Sequence, residues 1–270
     1  LEETPLGTGG AIRNAAELFP GETVAVFNGD ILTDFDLGAV LKFHRAKNAL
    51  ATITLAEVPS PNPFGILILD SEGRVQAWRE PSEETKRALA QRPDLPQTGI
   101  DLINAGFYVL EPGFIARIAP GVPSSVERDI FPQLLAASAA VYGFAPGGFW
   151  MDVGRAEQLL VATQAVLSGA VKTSAAGRQV GEGTQIAPSA QINAQTAIGK
   201  ACRIGAESRL ENCIVMDNVT IGDRVRLSRV ILDEGVTLEE EVVVEGSGGS
   251  GPPPVIAAGS HLCKGTHLRL

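Results

Sequence analysis

The sequence predicts an α/β domain with a mainly parallel sheet, followed by a parallel β-helix. Strand-like and helix-like segments alternate through residues 1–172, which is typical of α/β domains. Aliphatic residues then recur at every sixth position through residues 181–245, which is typical of β-helix coils. The composition, 44% hydrophobic and 20% charged, is that of a globular protein.

The strands of the first domain are predicted from short apolar runs that end in turn residues. A buried strand over Val24–Phe27 runs into the turn Asn28-Gly29-Asp30. Four further segments have apolar or alternating patterns, and a turn at residues 70–73 separates the second from the third. These predicted strands are residues 51–58, 65–69, 74–78 and 103–110.

Two helices of this domain have recognisable starts. Asp36 is expected to cap a helix that has Val40, Leu41 and His44 on one face. Ser124 and Glu127 have the spacing of a capping box before a helix over residues 130–137.

The second domain, residues 181–245, is predicted from a period of six that fits no amphipathic helix. A β-helix fits it, because each hexapeptide forms one flat side and points its aliphatic residue inward. The aliphatic positions are Ile186, Ile192, Ile198, Ile204, Leu210, Ile221, Leu227, Leu238 and Val244. Residues 246–254 have a Gly-Ser-Pro linker composition and residues 255–270 show no clear period, so residues 246–270 are predicted to be a linker-like tail.

Charge and cysteine content exclude several classes of protein. The net charge of −9 disfavours nucleic-acid binding, which needs a clustered positive face. No apolar run is long enough for a membrane span, and the start does not resemble a signal peptide. Three cysteines without paired spacing indicate a reducing compartment, and we expect a cytoplasmic protein. Because the sequence begins with Leu1, we also expect that its N-terminus is truncated.

Three places carry candidate chemistry. Asp30 follows a strand end, where open α/β sheets bind ligands, and Gly29 would let a ligand approach the backbone. Asp152 follows an aromatic pair and precedes a Gly. Either carboxylate could bind Mg²⁺, although a turn residue or a helix-entry residue would look the same. The Gly-rich turn around Gly7 and Thr8 opens a helix, where backbone N–H groups favour anions.

In their order along residues 1–170, the motifs "EETPLGTGGAIRNA", "VFNGD", "FGILILDSEGRV", "WREP", "INAGFYVLEP", "ERDIFPQLL" and "GFWMDVGRAEQLL" resemble the sugar-1-phosphate nucleotidyltransferases. The hexapeptide region strengthens this resemblance, because many members carry a left-handed β-helix there. The likeness is greatest to the mannose-1-phosphate guanylyltransferase and glucose-1-phosphate branches. The resemblance implies a Rossmann-like sheet, here incomplete at its N-terminus.

The resemblance also implies a reaction and its residues. A sugar 1-phosphate would attack the α-phosphate of a nucleoside triphosphate, with GTP and mannose 1-phosphate the first expectation for the substrates. Asp30 and Asp152 would hold Mg²⁺, and the turn residues Gly7, Thr8 and Gly29, with Glu2, would contact the nucleotide. The residues implied for the sugar phosphate are Gly65, Arg79, Glu80, Asn104 and Gly106.

Two departures from the family pattern stand out. The family opens with a strand and a Gly-rich loop carrying an Arg and a Lys, and this sequence starts after that segment. Where the family commonly has Glu-Lys-Pro, this sequence has Glu80-Pro81, so the Lys is missing. Arg79 could replace its charge, although with a different geometry.

Two other functions remain open. A noncatalytic regulatory or scaffold homologue would bind a nucleotide sugar and assemble as a homo-oligomer through the β-helix. A β-helix acyltransferase is less favoured, because such enzymes typically use a His as general base and residues 181–245 contain none. The sequence leaves the nucleobase and the sugar undetermined.

Overall fold

The computed structural model describes residues 4–79, 81–91, 96–247 and 251–269. The chain divides into two compact units. The N-terminal unit comprises Leu1–Ile31 and Phe35–Trp150, and the C-terminal unit comprises Leu32–Asp34 and Met151–Leu270. Within the described residues, every helix is too short or too polar to cross a membrane.

The first part of the chain alternates between helices and strands. The helices are α1 (Gly7–Ala16), α2 (Leu37–Ala46), α3 (Glu83–Gln91), α4 (Pro112–Ile115), a π-helical turn (Val126–Ile130) and α5 (Phe131–Ala136). The strands are β1 (Val24–Phe27), β2 (Ile31–Thr33), β3 (Ala51–Ser60), β4 (Ile66–Leu69), β5 (Val75–Arg79), β6 (Gly99–Leu110), β7 (Val141–Phe144) and β8 (Trp150–Asp152). Strand β2 pairs with β8 in a two-stranded sheet.

The main sheet of the N-terminal unit has the strand order β5-β4-β6-β3-β7, and β1 also pairs with β6. The predicted α/β class is confirmed, but this sheet is mixed rather than mainly parallel. Strand β3 runs parallel to β7, whereas β6 runs antiparallel to β1, β3 and β4. Apolar runs indicate where strands lie, but the direction of each strand depends on connections that such runs do not specify.

The core of this unit lies between the sheet and the helices α1, α4 and α5. Ile53 and Tyr108 of the sheet pack in one buried cluster with Phe114 of α4 and Phe131 of α5. These aromatic side chains are almost fully excluded from water, and burial of side chains this large is a main source of stability.

Helix α2 begins as predicted, because the Asp36 carboxylate accepts a hydrogen bond from the Ala39 backbone N–H at 3.1 Å. Its buried His44 lies 2.8 Å from Thr52 Oγ1 through Nδ1 and 3.0 Å from Glu111 Oε1 through Nε2. Burial raises the pKa of Glu111, but hydrogen bonds from His44 and Thr23 outweigh burial and hold the pKa below its usual range.

The C-terminal unit is a parallel β-helix, as the period of six predicts, preceded by α6 (Ala156–Leu167). Its strands form three ladders in which every pair is parallel. The strands are β9 (Gln185–Ile186), β10 (Gln191–Ile192), β11 (Ala197–Ile198), β12 (Arg203–Ile204), β13 (Arg209–Glu211), β14 (Ile214–Val215), β15 (Thr220–Ile221), β16 (Arg226–Ser228), β17 (Ile231–Leu232), β18 (Thr237–Leu238), β19 (Val243–Glu245), β20 (Val255–Ile256), β21 (His261–Leu262) and β22 (His267–Arg269).

The inward positions of successive coils stack directly on one another. In one ladder, Ile192, Leu210, Leu227, Val244 and Leu268 lie in register. Outward positions of another ladder are covered by α6, whose Leu160 packs on Ile214 and Ile231. The β-helix is therefore stabilised by apolar contacts inside the coils and by contacts with α6 on one face.

The β-helix continues into residues that were predicted to form a linker-like tail. Strands β20, β21 and β22 pair with β17, β18 and β19, so residues 255–269 complete another coil. Along the sequence, the Gly- and Pro-rich residues 246–254 therefore lie between β19 and β20 and do not mark the end of the β-helix. This coil also brings His261 and His267 into the β-helix, so the absence of His from residues 181–245 no longer argues against an acyltransferase.

Candidate active site

The Gly-rich turn at the start of α1 is held closely against the segment that precedes the π-helical turn. The Gly9 backbone N–H donates to the Ser124 carbonyl oxygen at 2.8 Å. Gly7 has a positive φ of 69°, and a Cβ on this residue would lie 2.6 Å from the same oxygen. The fold itself therefore requires glycine at position 7.

A chain of hydrogen bonds joins this turn to β6. Thr8 Oγ1 donates to Glu127 Oε2 at 3.0 Å and accepts from the Val126 N–H at 2.9 Å. Tyr108 Oη donates to Glu127 Oε1 at 3.0 Å and accepts from Asn104 Nδ2 at 2.6 Å. A residue predicted to contact the nucleotide is thus connected to one predicted to contact the sugar.

The chain of hydrogen bonds continues to the loop after β1. Asn104 Oδ1 accepts from the Gly106 N–H at 3.0 Å, and the Gly106 carbonyl accepts from the Asn28 N–H at 2.8 Å. Gly106 has a φ of 74°, and a Cβ there would lie 2.8 Å from Asn28 Nδ2. The loop that carries Gly29 and Asp30 therefore packs directly on Gly106.

The surroundings of Tyr108 fix its protonation state within this chain of hydrogen bonds. Burial, together with the nearby Glu127 carboxylate, raises the pKa of the Tyr108 phenol well above its usual range. The hydroxyl stays neutral, so it can donate one hydrogen bond and accept another.

Gly65 and Arg79 lie at the same end of the β4–β5 hairpin. Gly65 immediately precedes β4, and Ile66 pairs both with Arg79 of β5 and with Ile103 of β6. Because Asn104 follows Ile103, the predicted sugar-phosphate residues of three strands gather at one part of the sheet. Arg79 is exposed, and its guanidinium has no hydrogen-bond or ion-pair partner among the residues that the structure describes.

Trp150 fixes the backbone between Asn104 and Gly106. Its Nε1 donates to the carbonyl of Ala105 at 2.9 Å, and its ring packs edge-on against Phe64 with centroids 5.6 Å apart. Trp150 also lines a cavity of about 350 Å³ whose wall includes Glu57 and Gly148. The backbone around Asn104 and Gly106 is thus held by a half-buried pair of aromatic side chains.

Asp30 and Asp152 have the donor chemistry that Mg²⁺ requires. Asp30 is exposed in the loop after β1, and no described residue makes a hydrogen bond or an ion pair with it. Asp152 ends β8, and its Oδ1 accepts from the Gly154 N–H at 3.2 Å. Mg²⁺ needs only one or two carboxylates when phosphate oxygens complete its shell. The described part of the chain has no cluster of three or more His, Cys, Asp or Glu that could hold a metal ion. Binding of Mg²⁺ through one or two carboxylates does not require such a cluster.

Two predicted site residues, Glu2 and Glu80, lie outside the described residues. Conversely, sequence reasoning assigned no role in the site to Tyr108 or Glu127. Tyr108 could have been found, because a spacing of four along a strand puts it on the same face as Asn104. Glu127 was predicted to be a capping-box partner, and its contact with Thr8 spans 119 positions.

Both parts of the chain match known protein families. The nucleotidyl transferase family matches residues 1–169, and the GMPPB C-terminal domain matches residues 177–266. A mannose-1-phosphate guanylyltransferase of Mycobacterium tuberculosis is 39% identical over 67% of this chain and 47% of its own. The catalytic subunit beta of that enzyme from Dictyostelium discoideum is 34% identical over 59% of this chain and 41% of its own.

A relative from Oryza sativa subsp. japonica, probable mannose-1-phosphate guanylyltransferase 3, is similar across most of the sequence. It is 28% identical over 91% of this chain and 63% of its own. The chain spans about half the length of the first curated relatives it matches. On the evidence of the family match over residues 1–169, this chain belongs to the nucleotidyl transferase family.

Proposed function

We propose that the protein transfers a nucleotidyl group from GTP to mannose 1-phosphate, giving GDP-mannose and pyrophosphate. The observation that carries this proposal is the continuous chain of hydrogen bonds from Thr8 through Glu127, Tyr108 and Asn104 to Gly106. It links the turn proposed for the nucleotide to the strand proposed for the sugar. The choice of guanine and mannose rests on the names of the relatives.

In the proposed reaction, a phosphate oxygen of the sugar 1-phosphate attacks the α-phosphorus of the triphosphate. The new P–O bond forms as the bond to the leaving pyrophosphate breaks. Such transfers depend on positioning and on neutralising phosphate charge rather than on covalent help from the protein.

The site residues divide between the two substrates. Gly7, Thr8 and Gly29, with Glu2, would contact the nucleotide. The carboxamide of Asn104 would bind sugar hydroxyls, with Gly65, Glu80 and the backbone of Gly106 beside it. Arg79, a cation without a partner among the described residues, would face the sugar phosphate. Asp30 and Asp152 would hold Mg²⁺, which supplies neutralisation of phosphate charge when bound.

Release of pyrophosphate tests this proposal. Full-length protein is incubated with each of the common nucleoside triphosphates, mannose 1-phosphate or glucose 1-phosphate, and Mg²⁺. GTP with mannose 1-phosphate should give the fastest release. Asp30→Asn and Asp152→Asn should each reduce it by at least about 100-fold. Glu17→Gln, which removes one exposed acidic charge at the end of α1, serves as the matched control and should retain full activity.

The same assay separates the alternatives. A protein that binds GDP-mannose but releases no pyrophosphate with any pair of substrates would be the noncatalytic homologue. The acyltransferase alternative stays the less favoured one, although the last coil carries an exposed His261 whose Nε2 lies 3.0 Å from Glu239 Oε1. Transfer of an acetyl group from acetyl-CoA to a sugar nucleotide would support the acyltransferase alternative.

Assembly and location are proposed on separate grounds. Stacked repeats bury their ends against caps or neighbours, so we propose a homo-oligomer formed through the β-helix. Light scattering after size-exclusion chromatography tests this, and a monomer would contradict it. A cytoplasmic location is proposed because Cys202 and Cys213 are buried free thiols.

A further inference from the structure

Glu127 has an unusual set of partners for a half-buried carboxylate. It accepts hydrogen bonds from three hydroxyls: Thr8 at 3.0 Å, Tyr108 at 3.0 Å and Ser125 at 2.7 Å. No ion pair within the described ranges includes it. An ionised carboxylate can only accept hydrogen bonds, so each of these hydroxyls must direct its single proton at Glu127.

This direction determines the orientation of Asn104. Once the Tyr108 proton is committed to Glu127, the Tyr108 oxygen can only accept. Asn104 must then turn Nδ2 toward Tyr108, at 2.6 Å, and Oδ1 toward the Gly106 N–H, at 3.0 Å. The reversed carboxamide would point its NH2 group at the Gly106 N–H, which is also a donor, and its oxygen at the Tyr108 oxygen, which can only accept, and neither contact is tolerated.

The second oxygen of Glu127 determines the orientation of Thr8 in the same way. With its proton on Glu127 Oε2, the Thr8 oxygen accepts from the Val126 N–H at 2.9 Å. One carboxylate thus anchors a residue of the Gly-rich turn and, through one intermediate hydroxyl, a residue of β6.

Helix capping does not account for Glu127. Ser125 is the N-cap, and its Oγ accepts from the Arg128 N–H at 3.2 Å. The Ser125 N–H, which a capping-box Glu would bind, donates instead to Asp129 Oδ2 at 2.7 Å. Ser125 and Asp129 therefore cap this helix, which leaves the Glu127 carboxylate for the site.

We propose that Glu127 is a positioning residue for both substrates, and that it acts on the sugar side by fixing, through the Tyr108 hydroxyl, which end of the Asn104 carboxamide meets the ligand. This inference rests on the proposed function for its kinetic consequence, but its structural part can be tested without any turnover. The free Nδ2 hydrogen and the remaining Oδ1 lone pair of Asn104 are then the groups offered to sugar hydroxyls.

The structural part is tested by NMR on the ligand-free protein. Glu127→Gln and Tyr108→Phe should both shift the side-chain amide signals of Asn104 and the backbone signal of Gly106. Asp129→Asn, which removes an equal charge from the same helical turn, should leave these signals in place. Unchanged Asn104 signals in both site variants would overturn the proposal, and Tyr108→Phe keeps this test valid if Glu127→Gln fails to fold.

The kinetic part separates the two substrates. Glu127→Gln should raise KM for both substrates, whereas Tyr108→Phe should raise only KM for the sugar 1-phosphate, by about fivefold, the usual value of one neutral hydrogen bond. Asp129→Asn should lower Tm and change neither KM. If Glu127→Gln likewise lowers Tm and leaves both KM values unchanged, Glu127 is only structural and the proposal fails. If the two variants shift the Asn104 signals but the wild-type protein has no transferase activity, the proposed function is refuted and the control of Asn104 by Glu127 stands.

Discussion

Replacement of Leu210 by Ala should destabilise the β-helix strongly. Leu210 is completely buried and lies in register between Ile192 and Leu227 of the adjacent coils. The change removes three carbon atoms, which is roughly 2.4 kcal/mol of transfer free energy. Parallel hydrogen bonds hold the neighbouring coils at a fixed spacing, so the cavity cannot collapse. With the cavity term, we expect a loss of about 3.5 kcal/mol in the free energy of unfolding.

Urea denaturation followed by far-UV circular dichroism measures this loss. Fluorescence is unsuitable, because Trp78 and Trp150 both belong to the N-terminal unit. Arg209→Ala is the matched control, since Arg209 precedes Leu210 in the same strand but is exposed, and it should change stability by less than about 0.5 kcal/mol. Should Leu210→Ala cost no more than Arg209→Ala, the inward stacking of this position would be refuted.

Three further changes have defined outcomes. Asp36→Ala should lower the unfolding free energy by about 1 kcal/mol through loss of the α2 cap, and an unchanged thermal melt would contradict this role. The pKa of Glu111 is lowered in the folded protein, so its carboxylate stabilises the fold above the unfolded-state pKa, and this stabilisation is lost as the pH falls through the folded pKa. Glu111→Gln should therefore flatten the decline in stability below about pH 4. If the stability of the variant declines as steeply as that of the wild type, the Glu111 carboxyl does not cause the decline. Gly106→Ala should lower the free energy of unfolding by at least about 1 kcal/mol because of its positive φ. Gly29→Ala should leave the thermal melt unchanged and weaken nucleotide binding. If Gly29→Ala destabilised the protein and Gly106→Ala did not, the roles given to both glycines would be wrong.

The β-helix could be predicted from sequence because its stabilising contacts repeat at a fixed period. Its last coil was missed although Ile256, Leu262 and Leu268 keep the step of six. Residues 246–254 hid this continuation, because a Gly- and Pro-rich stretch is equally compatible with a linker and with a loop inside a coil. Only the pairing of β20 with β17 distinguishes the two.

The site could be predicted only in part, for a different physical reason. A local pattern singled out the Gly-rich turn that carries Thr8, whereas Asn104 was implied only by the family resemblance. The contact between them passes through Glu127, whose own local pattern indicated a helix cap. A side chain that satisfies distant partners has no periodicity to reveal it, and the mixed direction of the sheet was hidden for the same reason.

The glycines of the site illustrate how structure separates the needs of the fold from those of a ligand. Gly7 and Gly106 have positive φ values and approach Ser124 and Asn28 too closely for a Cβ, so packing alone explains both. Gly29 differs from them, because a Cβ there would meet no described atom within 4 Å. Neither packing nor a positive φ therefore accounts for glycine at position 29. The proposed nucleotide site would supply a reason for glycine here, because it would bring a ligand close to the backbone beside Asp30.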